Sequence, residues 1–222
     1  MIGRLRTLVS GCFWSIFGFP VTGSILFDVQ DKINKKDVEL FAKRDDLIHK
    51  YISGNKIRKL NQNIFSFYKN KCKKLVTFGG AFSNHLLATA SICYELGIPC
   101  IGIVRGEELD AKSNFILSKC DSFGMKLEFV SRTNFSEQKK MNGIVFQDGI
   151  PTWFVPERGA NSKGIEGCKE IVAENDEIFD YYVVAQGTTT TSIGIALALP
   201  PSAKIIVVPA ITAYHILTLN KL

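Results

Sequence analysis

From about residue 36 onward, short apolar runs alternate with stretches whose apolar residues recur at helical spacing, and glycines close several of these pairs. Val38 to Lys43 reads as a strand, and Asn55 to Tyr68 as a helix with Ile57, Leu60, Ile64, Phe65 and Tyr68 at helical spacing. Leu75 to Phe78 is a short buried strand. Asn84 to Leu96 follows as a helix closed by Gly97, Cys100 to Val104 as a strand, Ser113 to Phe123 as a helix closed by Gly124, and Leu127 to Val130 as a strand. Both glycines stand where a left-handed cap ends a helix. The text is polar from Asn134 to Gly149. The pattern then resumes with strands at Thr152 to Val155, Tyr181 to Ala185 and Lys204 to Pro209, and a helix around Ile165 to Ala173. Such alternation calls for parallel strands joined by right-handed crossovers, an α/β fold of open sheets with helices on both faces.

Composition narrows the classes. The chain has 222 residues, 46% hydrophobic and 22% charged, a balance that excludes a disordered or collagen-like protein. The net charge of +6 comes from Lys+Arg 27 against Asp+Glu 21. These charges are scattered rather than gathered into an arm, so no nucleic-acid partner is expected and an anionic ligand is favoured only weakly. Six cysteines, at 12, 72, 93, 100, 120 and 168, form no CxxC pair and read as buried thiols of a reducing, cytoplasmic compartment. Histidine occurs only at 49, 85 and 215, with no ligand spacing, and no metal site is expected. Leu8 to Phe27 carries no charge and follows Arg4 and Arg6, but Gly11, Gly18, Pro20 and Gly23 interrupt it, so neither a membrane span nor an export signal is expected.

Ligands of open α/β sheets bind beyond the carboxyl ends of strands, which directs attention to the loops after Lys43, Phe78 and Ala185. The last reads Gln186-Gly187-Thr188-Thr189-Thr190-Thr191-Ser192 and leads into a helix. Its amides and hydroxyls suit a phosphate, or form a plain strand-to-helix turn with threonine caps. The second reads Gly79-Gly80-Ala81-Phe82-Ser83-Asn84-His85, where backbone can approach a ligand and Ser83 is a nucleophile or a helix cap. The first holds Lys43-Arg44-Asp45-Asp46 and then Ser53-Gly54-Asn55-Lys56-Ile57-Arg58-Lys59. Asp45 and Asp46 are expected in ion pairs with Arg44, Arg58 or Lys59. Lys56, near a glycine at a helix start and among other cations, is either a Schiff-base lysine or a solvated surface residue.

These segments together, in order and spacing, resemble the family of 1-aminocyclopropane-1-carboxylate deaminase and D-cysteine desulfhydrase, over about residues 36 to 209. The resemblance implies the tryptophan-synthase-β-like fold and pyridoxal 5′-phosphate as cofactor. It makes Lys56 the lysine that bonds the cofactor and shuttles the proton, with Asn55 beside it. Asn84 then contacts the ring hydroxyl, Gly187, Thr188, Thr189, Thr190 and Thr191 hold the phosphate, and Ser83 stands by the substrate carboxylate or the ring face. It further implies a lyase or deaminase of a small amino acid, a homodimer when complete. A larger cofactor domain would take residues 36–58 and 175–222, and a smaller one 59–174, after an unmatched segment 1–35. Thr189 stands where many relatives have a second glycine, and Arg158 stands where the resemblance leads one to expect glycine. Ile211 to Leu222 resembles none of the family's C-terminal part, which marks the chain as C-terminally incomplete and leaves an inactive relative, or an α/β module binding a phosphorylated metabolite, as alternatives.

Overall fold

The computed structural model describes residues 26–28, 41–174, 178–209 and 217–219. The uncharged N-terminal run up to residue 25, Cys12 and the start of the strand expected from Val38 lie outside them. In chain order the elements are β1 (Leu26–Asp28), β2 (Phe41–Lys43), α1 (Asn55–Lys69), β3 (Lys74–Gly80), α2 (Asn84–Leu96), β4 (Cys100–Arg105), α3 (Phe115–Ser122) and β5 (Lys126–Val130). They continue with α4 (Arg132–Gln138), β6 (Gly143–Gln147), β7 (Ile150–Val155), α5 (Ser162–Ala173), β8 (Tyr181–Gln186), α6 (Thr190–Ala198), β9 (Lys204–Pro209) and β10 (Leu217–Leu219). Two compact units result: Met1–Asn61 with Gly164–Leu222, and Gln62–Lys163.

The second unit is built on a five-stranded sheet in the order β5-β4-β3-β7-β6. β3, β4, β5 and β7 run parallel, as the alternation predicts, whereas β6 is antiparallel to β7. The turn between those two is Asp148-Gly149, both at positive φ (48° and 76°), a hairpin signal inside the stretch read as merely polar. Helices cover both faces, because neighbouring strand residues point to opposite sides. On β4, a Cβ at Gly102 would meet Leu86 of α2, while the next residue, Ile103, packs in a core with Val76, Phe78, Phe154 and Phe135 of α4. α4 is a helix that the sequence pattern did not disclose; Ser131 caps it by accepting the Asn134 N–H, and Phe135 is its buried residue.

The first unit carries two small sheets. β8 and β9 are parallel, β10 pairs antiparallel with β9, and β1 pairs antiparallel with β2. Its core joins Cys168, Ile171 and Val172 of α5 to Phe179, Tyr182, Ile195, Leu199, Ile205 and Val207. This packing puts α5 in the first unit, although the sequence reading groups it with residues 59–174. α5 and α6 approach so closely at Gly194 that a Cβ there would lie 2.5 Å from Cys168 Cβ and 2.6 Å from the Ile165 carbonyl oxygen.

Along α1 the buried apolar residues are Ile57, Leu60, Ile64 and Phe67. Phe65 and Tyr68, expected to share that face, are 45% and 40% exposed, so the stripe follows the 3-4-3 spacing that ends at Phe67. Gly97 ends α2 in the left-handed conformation (φ 65°), as anticipated. Among the described residues, Cys72, Cys93, Cys100, Cys120 and Cys168 are buried free thiols, and burial pushes that of Cys120 up to about 12. No helix among them is long and apolar enough to cross a membrane.

Candidate functional site

In the first unit the segment before α1 and the threonine loop before α6 come together. Gly54 precedes α1 at φ 62°, a left-handed turn that lets the chain swing from β2 and a turn of 3₁₀ helix at Asp45–Leu47 into the helix. Asn55 then bridges two neighbours. Its Nδ2 donates to Thr191 Oγ1 (3.0 Å), and its Oδ1 accepts from Lys56 Nζ (2.8 Å). One helical turn after Asn55, Lys59 is 2% exposed and donates from Nζ to Thr188 Oγ1 (3.1 Å). Asn55 and Lys59 thus form an i,i+4 pair on the α1 face that meets the threonine loop, leaving Lys56 half-buried beside them. The motifs alone do not single out Lys59 as a binding cation; its i,i+4 spacing from Asn55 is the signal that could find it.

The loop itself runs from β8 to α6 through Gly187, Thr188 and Thr189. Thr189 at the N-cap has helical backbone (φ −68°, ψ −11°) and makes no side-chain capping bond, so the plain threonine-cap reading fails there. Nor does it need the conformational freedom of the glycine that the resemblance leads one to expect here. Thr190 and Thr191 are buried, and the Ser192 hydroxyl is held between the Gln186 side chain and the Thr189 carbonyl. Cys168 meets Thr191 from behind, its thiol pushed up to about 11 chiefly by burial. α1 opens with Lys56, Arg58 and Lys59 and has no acid in its first turn, and α6 has none either. The amide-bearing start of α6, with Lys59 bonded to Thr188 beside it, suits an anion.

Arg58 faces away from the loop and is 2% exposed. Its Nε and Nη2 donate to the two Asp45 oxygens (3.1 and 3.0 Å), and its Nη1 donates to Glu174 Oε1 (2.9 Å) with Glu170 Oε2 at 3.8 Å. Asp46 instead pairs with Arg44 on the surface (2.6 Å), so both acids find the kind of partner expected. Burial outweighs the attraction of Arg58 and Lys43 at Asp45, helped by repulsion from Glu174, and pushes its carboxyl from the ordinary 3.8 up to about 6. The folded chain therefore binds this proton more tightly than the unfolded chain does. The stability it contributes is complete below about pH 4 and is lost as pH rises through about 6. Urea midpoints measured across that window should fall with rising pH, and Asp45→Asn should remove that part of the slope; an unchanged slope would show that another group carries it.

In the second unit, Ser83 caps α2 by accepting the Leu86 N–H (3.3 Å). Gly79 does not leave room for a ligand: a Cβ there would lie 2.7 Å from Ser83 Oγ and Leu86 Cγ, so the glycine admits the start of α2. Asn84 is exposed. His85 is buried, its Nε2 2.9 Å from Thr77 Oγ1, whose proton goes to the Val155 carbonyl, so Nε2 carries the ring N–H toward Thr77. Arg158 has φ 63° and ψ 9°, the left-handed conformation that glycine adopts freely, at the position where glycine was expected.

An α/β chain that brings a half-buried lysine, a buried second lysine and a hydroxyl-rich helix start into one unit can hold a phosphate and offer a primary amine. The chain matches the pyridoxal-phosphate dependent enzymes over residues 22–218 and belongs to that family, whose cofactor is pyridoxal 5′-phosphate. It is 31% identical over 171 residues to a Pyrococcus abyssi protein provisionally named a 1-aminocyclopropane-1-carboxylate deaminase, covering 72% of this chain and 51% of that one. It is 29% identical over 183 residues to a D-cysteine desulfhydrase of Yersinia pestis, covering 76% and 56%. The chain spans about half the length of the curated relatives it matches. Among solved structures, an ACC deaminase homologue aligns with a TM-score of 0.65 at 23% identity over 79% of this chain and 55% of that one. The L-serine ammonia-lyase of Rhizomucor miehei aligns at 0.61 and 15% over 84% and 59%. Both share the α/β fold.

Proposed function

We propose that this chain serves a pyridoxal-phosphate-dependent lyase or deaminase acting on a small amino acid, with D-cysteine or 1-aminocyclopropane-1-carboxylate as the candidate substrates. The observation that carries the reading is the double link of α1 to the threonine loop, Asn55 to Thr191 and Lys59 to Thr188, with the Lys56 amine beside it. In this reading Lys56 is the covalent attachment point. Backbone amides and hydroxyls from Gly187 to Thr191 receive the phosphate, and Lys59 supplies the buried positive charge that a dianion requires. Bound pyridoxal phosphate would supply an electron sink for charge developing at the substrate's α-carbon. The Lys56 amine, once released, is the group to take and return the α-proton, and the Asn55 Oδ1 that accepts its N–H orients it. Ser83 and Asn84 remain assigned to the substrate carboxylate and the ring hydroxyl on the strength of the family resemblance.

The test is to mix the chain with pyridoxal phosphate, reduce with borohydride and map the modified peptide. A cofactor mass on Lys56 supports the reading; tight binding with no covalent mass favours a module for phosphorylated metabolites. Thr188→Pro removes one amide donor and the hydroxyl that Lys59 bonds. Charge-assisted hydrogen bonds contribute roughly 1.5–3 kcal/mol each, so the cofactor's Kd should rise at least about tenfold. A titration giving the same Kd would place the phosphate elsewhere.

A further inference from the structure

The geometry points to Asp45 as a positioning residue that sets where the Lys56 amine stands, by gripping the entry of α1 at two points on either side of it. The inference rests on the role given to Lys56 above. The first point is backbone: the Asp45 carbonyl accepts the Gly54 N–H (3.3 Å), while also accepting that of Ile48 (3.3 Å). The second is the carboxylate, which takes both Nε and Nη2 of Arg58 in a fork. The two gripped residues, Gly54 and Arg58, bracket Asn55-Lys56-Ile57. On its other side Arg58 is braced by Glu174, and Asn61 Nδ2 stands 3.4 Å from both oxygens of Glu170. The opposite face of the turn is tied to the threonine loop through Asn55 and Lys59. Both the rotation and the rise of the first turn of α1 are therefore held, and Lys56 rides on that turn.

The energetics fit a positioning role better than a stabilising one. Asp45 and Arg58 are 1% and 2% exposed, and a buried ion pair recovers its desolvation cost only in part; well-packed apolar residues commonly do as well. What a bidentate fork adds is direction, since guanidinium and carboxylate planes must align. The charged groups around Asp45 are Arg58 from α1, Lys43 from β2 and Glu174 just past α5, with Glu170 of α5 behind Arg58. Asp46, next in sequence, offers the contrast. Its pair with Arg44 lies on the surface, at 47% and 42% side-chain exposure, and grips nothing in α1.

The experiment compares the full chain with its Asp45→Asn, Asp45→Glu, Arg58→Lys and Asp46→Asn variants by two readouts. One is the rate of borohydride-trappable capture of pyridoxal phosphate at Lys56. The other, made without cofactor, is the acetylation rate of Lys56 by trace acetic anhydride relative to the exposed Lys126. A displacement of about 1 Å costs on the order of 100-fold in rate, so Asp45→Asn should slow capture by roughly 10- to 100-fold. It should also change the relative labelling of Lys56, with Asp45→Glu recovering part of both and Asp46→Asn matching the wild type. Should Asp45→Asn not fold, Arg58→Lys, which keeps the charge and loses the fork, is expected to shift the same two readouts. Wild-type labelling and capture in these variants would overturn the assignment, as would slowed capture with Lys56 labelling unchanged throughout. If wild type itself captures no cofactor at Lys56, the proposed function fails, and the labelling comparison still decides whether Asp45 positions the amine.

Discussion

Lys56→Ala is expected to abolish covalent capture of pyridoxal phosphate while leaving the fold intact. Lys56 is half-buried at the start of α1, and the hydrogen bond from its Nζ to Asn55 Oδ1 lies where water can replace it once the amine is gone. Helix propensity favours alanine there, so the circular dichroism spectrum should match that of the wild type. No neighbour can substitute for the amine. Lys59 is committed to Thr188 on the loop-facing side and is 2% exposed. Borohydride reduction followed by peptide mapping should therefore find no cofactor mass in the variant, together with loss of the visible band of the wild-type mixture. A cofactor mass on Lys59 would reassign the attachment point.

The largest effect on stability should come from Arg58→Met. The replacement removes the cation shared by Asp45 and Glu174 and leaves their carboxylates facing Lys43, whose Nζ is 4.0 Å from Glu174 Oε2. Removing one partner of a buried ion pair costs about 3–5 kcal/mol because the remaining charge is still desolvated. Urea unfolding should show a loss of that size. The double variant Asp45→Leu with Arg58→Met should recover the part due to Asp45, while Glu174, which Arg58 Nη1 also bonds, keeps the remainder of the loss. A loss below about 1 kcal/mol would mean that water reaches the acids and that the cluster is solvated.

What was legible in the sequence was local. The limits of α1 and α2, the left-handed cap at Gly97 and the approach of the β8 strand to a helix start all follow from periodicity and capping chemistry, and observation agrees. The side of α1 on which each aromatic falls was not legible, because Phe65, Phe67 and Tyr68 all lie within one turn and only tertiary packing chooses Phe67. α4 has no periodic signature for a related reason: its seven residues contain one buried apolar side chain, too few to display a period. The charges around Arg58 divide along the same line. Asp45 lies 13 residues away and was among the expected partners, whereas Glu174 lies 116 residues away with no local pattern to connect them. The pyridoxal-phosphate family was legible because its motifs keep their order and spacing over most of the chain.

The division of the chain also sets an order of assembly during synthesis. Gln62–Lys163 is one uninterrupted stretch containing all five strands of its sheet, while the first unit is composed of segments on either side of it. The second unit can thus finish its sheet on the ribosome before the first has received α5, β8 or α6. Arg58, Lys59 and Asn55 leave the ribosome 116, 129 and 136 residues ahead of Glu174, Thr188 and Thr191, the groups they will bond. At roughly 5–20 residues per second, the nascent chain carries this cationic helix start for about 6–27 s before the acids and hydroxyls that complete it emerge.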